Sequence, residues 1–446
     1  MRYNYQNILR LLALVICQVL FITSYAQQKQ KGFYKDLFMD SGMMLTSRVD
    51  LAASRLADFT MESFISTPHS YTEKFSFTDA DTIMQNQLIC GSAIDENGIL
   101  LYPDGAPRFR VVYMNGGRAK AHGGTLGEQG RKNYRMFVAN GGGYVGSCAG
   151  AFIASLGTKL PDKEEAPTDL YLGIWPGFTT GTGLEKSWTD IDIEPGSPLL
   201  NYYHYSHRMS IDSVRHNGGC YGNMTYRCPQ GTEVLARYST PGGEPKRNIV
   251  GEPVIWAYKA SEQSGRIVLC GSHPEYAEEG PRLELTAAML KYAMDGVGKP
   301  TIKGELKIGE KRRMTCYTHD NNPAFTRIGD KQYHHFAIQV PDGTDTLKIA
   351  LSSISGSDKF DLYLLADSHT LAFKDEAEYS DLHLGVDKQL VIVHPQAGTM
   401  YASVFCNTTV TARQTRYGTQ YSGRIDVLNG VPYEIYVTTI PKQPNQ

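Results

Sequence analysis

Of the segments that commonly announce a protein's work, this chain has almost none. It has no CxxC pair and no Cys/His zinc spacing, so no metal site is read from it. It has no GxxxxGK[ST] phosphate loop. Long runs of one charge are missing, and the formal net charge is only -2. That balance gives no pull toward nucleic acid or an anionic membrane, so neither is expected as a partner. Solenoid repeats and low-complexity tracts are missing too. What remains is 446 residues, 41% hydrophobic, with 44 glycines and 8 cysteines. That length exceeds one ordinary domain and favours two.

The N-terminus carries a distinct pattern. Arg2 and Arg10 precede an apolar run from Leu11 to Ile22, broken only by Gln18, and Ser24-Tyr25-Ala26 offers small residues at the expected cleavage positions. This reads as a signal peptide cleaved near Ala26, giving a secreted or periplasmic protein with no membrane span left after cleavage. The run is short for a bilayer. Seven cysteines then remain, an odd number in a chain bound for an oxidising compartment, so at least one thiol stays free or pairs between chains. Cys220 with Cys228, and Cys316 with Cys406, are candidate bridges by position alone.

Between residues 33 and 296 strand and helix patterns alternate. Strands are expected at 36–40, 108–114, 141–147 and 267–270. Helical spacing marks 49–59, 126–138, the stretch after 149, and 283–294. Such alternation predicts an α/β domain whose parallel sheet is covered on both faces. Near Gly296-Val297-Gly298 the helical period stops. Period-two runs follow, including Phe336-Ile338-Val340, Leu347-Ile349-Leu351 and Phe360-Leu362-Leu364, with others at 390–394, 401–405 and 431–437. These predict a small all-β sandwich. The expected division is a signal peptide at 1–26, a catalytic α/β domain at 27–299, and a β-sandwich accessory domain at 300–446.

The chemistry concentrates at Gly146-Ser147-Cys148-Ala149-Gly150. A strand runs into it and a helix out of it. Glycines on both flanks suit a sharp, strained turn that presents a nucleophile. The N–H groups that open the helix favour a thiolate and can hold an oxyanion, Ala149 first. A buried structural cysteine in a Gly-rich turn is the bland alternative. A thiol nucleophile needs a base. His273, 125 residues further on at the end of the last strand, can take its proton, and Glu275 can orient the ring. A histidine before proline is by itself more often a turn residue. Its place at a strand's C-terminal end, where open α/β sheets gather their sites, is what recommends it. Asn115-Gly116-Gly117 ends another strand, and its glycine N–H groups can complete an oxyanion hole.

These pieces, in this order, resemble the class I glutamine amidotransferase fold. Residues 138–151 are most similar to the branch named after the N-terminal part of biotin–protein ligase, and His216-Asn217-Gly218-Gly219 is similar to a turn of that branch. The resemblance covers about 33–296. It implies a flavodoxin-like doubly wound sheet, a Cys148–His273–Glu275 triad, and oxyanion donors at Gly117 and Ala149, with Gly116 beside them. Asn115 departs from the pattern by standing where proline is common, and Ser272 by standing where an aromatic is common. The residues after 300 resemble the pre-peptidase C-terminal domain through Phe336-Ala337-Ile338-Gln339-Val340, Asp361-Leu362-Tyr363-Leu364 and Tyr401-Ala402-Ser403-Val404. That resemblance implies no chemistry.

Further candidates for substrate contact are Asn115, Arg118, His122 and Asn217, the second and third in a Gly-rich stretch that reads as loop. Tyr202 to His207 is aromatic and polar, most simply a partly exposed strand. Asp358 and Asp361 can bind calcium, though a solvated turn is the commoner reading. The leading function is a cysteine amidase or peptidase working through a thioester, without cofactor. Its substrate is a peptide or small amide. A synthetase partner is not expected outside the cytoplasm. The alternatives are a non-catalytic binding or scaffold protein on the same frame, and an amide or acyl transferase.

Overall fold

The computed structural model describes residues 32–40, 51–64, 97–160, 163, 166–243, 248–320, 322–415 and 418–443. The expected signal peptide, Cys17 and Cys90 lie outside them. In chain order the first strands are β1 (Lys35–Asp40), β2 (Met61–Phe64), β3 (Phe109–Met114) and β4 (Gly143–Ser147). A β-rich excursion follows through β5 (Gly157–Thr158), β6 (Ala166–Pro167), β7 (Phe178–Ile193), β8 (Ser210–Gly222), β9 (Glu233–Tyr238) and β10 (Pro253–Tyr258), before β11 (Ile267–Cys270). The sheet runs β2-β1-β3-β4-β11-β10-β9-β7-β5-β6, with β8 paired to β7. The contacts from β2 to β11 are all parallel. Their order is the flavodoxin-like 2-1-3-4-5 arrangement, with β11 as fifth strand.

Among the described residues four helices go with this sheet: α1 (Ala52–Leu56), α2 (Ala119–Ala139), α3 (Ala149–Ala154) and α4 (Gly280–Met294). The strands alternate which face they serve. Phe38, Val112, Met114 and Tyr144 join Leu126, Tyr134 and Phe137 of α2 and Ile153 of α3 in one core. Leu37, Met39, Val111, Tyr113 and Val145 join Leu285, Met289 and Leu290 of α4 in another. With both faces covered, β3 is buried at all six positions, which is why it reads as an unbroken apolar run rather than an alternating one.

Several expectations are corrected. The sheet is not parallel throughout: β10 joins β11 antiparallel, and β9, β7 and β8 continue that way. The stretch around Arg118 and His122 is helical, because α2 begins at Ala119. Two of its four glycines are used for closeness and a kink. A Cβ on Gly123 would strike the Leu170 carbonyl, and Gly127 breaks the helix with φ 64°. Tyr202 to His207 is not a strand. Tyr202 follows one 3-10 turn (Pro198–Asn201), and Tyr205–His207 is a second. Neither candidate disulfide forms. Cys220 is enclosed in β8, while Cys228 lies against Met224 and Pro229, and Cys316 and Cys406 are likewise free.

After α4 the chain builds different sheets. Its strands are β12 (Ile302–Glu305), β13 (Lys311–Met314), β14 (Tyr333–Val340), β15 (Thr344–Ser352), β16 (Leu362–Asp367), β17 (Tyr379–Asp381), β18 (Lys388–Val393), β19 (Gly398–Cys406), β20 (Val410–Thr415), β21 (Gly418–Gly423) and β22 (Tyr433–Pro441). One sheet is β12-β14-β19-β16-β17, the other β13-β22-β15-β18, and β20 with β21 forms a hairpin. The two sheets bury Phe336, Ile338, Leu347, Ile349 and Leu364 in one shared core, as a sandwich does. Asp361 is occupied in shaping a loop, accepting the Gly385 N–H at 2.7 Å.

Residues Phe33–Gln446 form one compact unit. The hairpin caps the edge strand β2: Gln414 donates to Ser63 Oγ at 2.8 Å, and the Ser63 N–H donates to Thr419 Oγ1 at 3.0 Å. Such cover removes an open sheet edge. Tyr421 donates to the buried Glu62, Arg108 pairs with Asp330 where both are fully enclosed, and Lys303 meets Asp104 at 2.7 Å. Among the described residues no helix is long and apolar enough to cross a membrane.

Candidate active site

The parallel strands β3, β4 and β11 are neighbours, and each delivers one part of the site from its C-terminal end. Cys148 follows β4 directly. Its backbone stands at φ 47°, ψ -105°, a strained conformation for a residue with a side chain. The strain is held by close packing. A Cβ on Gly146 would lie 2.5 Å from the Gly150 carbonyl oxygen, and one on Gly150 would lie 2.2 Å from that of Met114. The Cys148 N–H donates to the Cys270 carbonyl at 2.9 Å, tying the elbow to β11.

His273 lies shortly after β11. Its N–H donates to the Arg215 carbonyl at 2.9 Å, so β8 helps to fix it. Pro274 then opens a 3-10 turn, Pro274–Tyr276, that folds Glu275 back under the ring. The Glu275 carboxylate meets His273 Nδ1 at 2.7 Å. The same oxygen accepts from Ser147 Oγ at 3.1 Å, and Ser147 is hydrogen-bonded to the Tyr113 hydroxyl at 2.9 Å. A buried relay therefore runs Tyr113, Ser147, Glu275, His273, Cys148. Ser147 and Tyr113 carry no signal of this role in the sequence. Ser147 lies within the elbow, but its role depends on a fold that sets β4 against the turn after β11.

Cys148 and His273 are only 4% and 5% exposed, and their charges are coupled. Burial pushes the Cys148 thiol up, but hydrogen bonding to His273 and that ring's positive charge outweigh it, and the thiol sits below its ordinary value. The Gly117 N–H, aimed at the sulfur, adds to the lowering. Burial likewise works against charge on His273, yet the Glu275 carboxylate and the Cys148 sulfur hold it well above the usual histidine value. The thiol's own contact as a donor is long, 3.9 Å to the Asn217 carbonyl. The pair thus tends toward thiolate and imidazolium through the imidazole beside the sulfur. His216, one strand position from Arg215, has the opposite fate: burial and the neighbouring His273 charge push it down to about 4.

The remaining candidates separate. Gly117 has its N–H at the sulfur, and Ala149 opens the first turn of α3. Gly116 does not serve as a donor, because its N–H is taken by Asn115 Oδ1 at 3.2 Å. Its part is steric: a Cβ there would come within 2.4 Å of the His273 ring. Asn217 reaches the site through its carbonyl, its side chain being exposed. Arg118 stands exposed before α2, outside these contacts. His122 is turned inward, 3% exposed, with Nε2 3.1 Å from Asp40 Oδ2. That carboxylate also accepts from Tyr134, so His122 is a core residue rather than a substrate contact.

A parallel sheet of this order with a strained cysteine elbow at its C-terminal edge is the arrangement that the resemblance to the class I glutamine amidotransferase fold implies. Within it, residues 106–314 match the family model for the biotin-protein ligase N-terminal domain. A curated relative, biotin–protein ligase of Schizosaccharomyces pombe, is 24% identical over 245 residues, covering 50% of this chain and 35% of its own length. The chain thus spans about a third of that relative. Among solved structures, a glutamine amidotransferase aligns at 20% identity and a TM-score of 0.27, over 41% of this chain and 79% of its own. A putative GMP synthase component from Thermoplasma acidophilum aligns at 11% identity and a TM-score of 0.33, over 58% and 95%.

Proposed function

We propose that this protein is a cysteine-dependent amide or peptide hydrolase, exported by its first 26 residues. The observation that carries the reading is the buried Cys148–His273–Glu275 relay at the edge of three parallel strands. The Cys148 sulfur attacks the substrate carbonyl, and the N–H groups of Gly117 and Ala149 hold the tetrahedral oxyanion. As the C–N bond breaks, the imidazolium gives its proton to the leaving nitrogen, and an amine departs from a thioester. His273 then takes a proton from water as that water attacks. The thioester opens to a carboxylic acid and free thiol.

Chemical labelling tests it. Iodoacetamide should alkylate Cys148 near neutral pH ahead of the buried Cys220 and Cys270, whose thiols are pushed up by burial. Mass spectrometry of the folded protein reads the order. An inert Cys148 ends the hydrolase reading.

A second reading follows from the relative's name: a part in attaching biotin to protein. The family match favours it. It predicts biotin transfer to an acceptor protein with ATP, and such activity in a Cys148→Ala variant would move the function to that side.

A further inference from the structure

The geometry points to an anion-reading subsite on the leaving-group side of this catalytic centre: the released amine is an amino acid or short peptide whose carboxylate meets Arg215. The inference rests on the hydrolase reading above and names its substrate class. The general acid must stand next to the nitrogen it protonates, so the departing fragment lies on the His273 side of the cysteine. There the structure has an open cavity of about 640 Å³ lined by His273, Tyr276, Arg215, Trp188, Arg282 and Glu279, and not by Cys148, Gly116 or Gly117. Release of ammonia would need no such volume.

The cavity has an order. The Tyr276 ring packs 5.3 Å from the His273 ring, and the Arg215 guanidinium lies 4.6 Å over the same tyrosine. Two successive contacts place the guanidinium within roughly 10 Å of the imidazole, the length of about three extended residues. Arg215 is exposed and makes no ion pair with any described residue. The aromatic face beneath it keeps the guanidinium in place without neutralising it. Its cross-strand partner is Trp188, 56% exposed, a flat wall beside the path. Arg282, also on the cavity wall, donates to the Ser213 carbonyl at 2.7 Å, whereas Arg215 is the arginine held over the Tyr276 ring that packs on His273. Glu278 and Glu279 also line the cavity, Glu279 at the start of α4. A carboxylate one to three residues past the scissile bond would meet Arg215 in a planar, two-pronged pairing.

The test measures protection of Cys148 from iodoacetamide in the full chain. Four probes are used: Ala-Ala, Ala-Ala-amide, Ala-Asp-amide and Ala-Lys-amide. Ala-Ala should protect at about tenfold lower concentration than its amide, a ratio typical of one charge-assisted pair. In Arg215→Gln the ratio should fall to near one, and Arg215→Lys should keep part of it. The thermal midpoint of each variant checks its folding. Protection by Ala-Asp-amide but not Ala-Ala assigns the carboxylate to a side chain rather than a terminus. Equal protection by Ala-Ala and all three amides, or a ratio untouched by Arg215→Gln, overturns the subsite. So does best protection by Ala-Lys-amide that Glu279→Gln abolishes. A Cys148 that no reagent reaches overturns the hydrolase reading first, and this inference with it.

Discussion

At the scale of single residues, the site is a contest between burial and one charged neighbour. Burial alone would make Cys148 a poor nucleophile, as it does Cys220 and Cys270. The difference is His273, whose charge is held by Glu275. This fixes the sign of a pH experiment. With the imidazolium present, the thiolate forms below the usual thiol value, so alkylation should already be fast near neutral pH. In His273→Ala the larger opposition to burial is gone and only the Gly117 N–H still favours the thiolate, so the midpoint of the alkylation rate should move above the usual value of about 8.5. Glu275→Gln should fall between, because a weaker imidazolium stabilises less thiolate. At pH 7 we expect the His273→Ala rate to drop on the order of 100-fold. A midpoint that stays put would mean the ring does not govern the sulfur. The sequence made Cys148, His273 and Glu275 legible, since their spacing to strand ends was visible. Tyr113 and Ser147 were not legible as a relay, because both belong to apolar or glycine-rich strands whose register only the folded sheet sets.

At the scale of elements, legibility followed how cleanly each pattern repeated. The sandwich strands alternate, and β14, β15 and β19 fall where Phe336, Leu347 and Tyr401 placed them. The long pair β7 and β8 went unseen. Its register shifts near Gly181, Leu184, Ser187 and Thr189 interrupt the period-two signal that would have marked it. Helix α2 was half missed because its glycines read as loop, whereas Gly123 allows close contact with the Leu170 backbone and Gly127 kinks the helix. The elbow shows the same use of glycine in reverse, where the pattern was plain. Gly150 brings α3 against β3, and a methyl group there would overlap the Met114 carbonyl. Gly150→Ala should therefore cost about 1–3 kcal/mol in urea denaturation and slow Cys148 alkylation, as the helix shifts and the strained turn relaxes. A variant with unchanged stability and reactivity would show that the elbow does not depend on that closeness.

At the scale of the whole molecule, the α/β sheet and the sandwich are joined by buried polar pairs rather than by a bare linker. Arg108, just before β3, is enclosed with Asp330, just before β14, and its guanidinium also lies 4.4 Å over the Tyr102 ring. Tyr421 with Glu62 and Lys303 with Asp104 repeat the arrangement across the same pair of layers. Sequence periodicity could see the change of architecture near 300. It could not see these pairs, since nothing local marks an arginine as the partner of an aspartate more than 200 residues away. A buried charge that loses its partner is costly, so Asp330→Ala should lower the unfolding free energy by about 3–5 kcal/mol. Replacing both members, Arg108→Met with Asp330→Leu, should recover most of that loss, because the desolvated charge is then gone from both layers. All three tryptophans lie before residue 300, so their fluorescence follows the α/β layers, while hydrogen exchange at β14 follows the sandwich. In the wild type both signals should change at one urea midpoint. In Asp330→Ala they should move down together. A sandwich that keeps its protected amides after the tryptophan signal is lost would show two separately folding bodies and would reduce these pairs to surface docking.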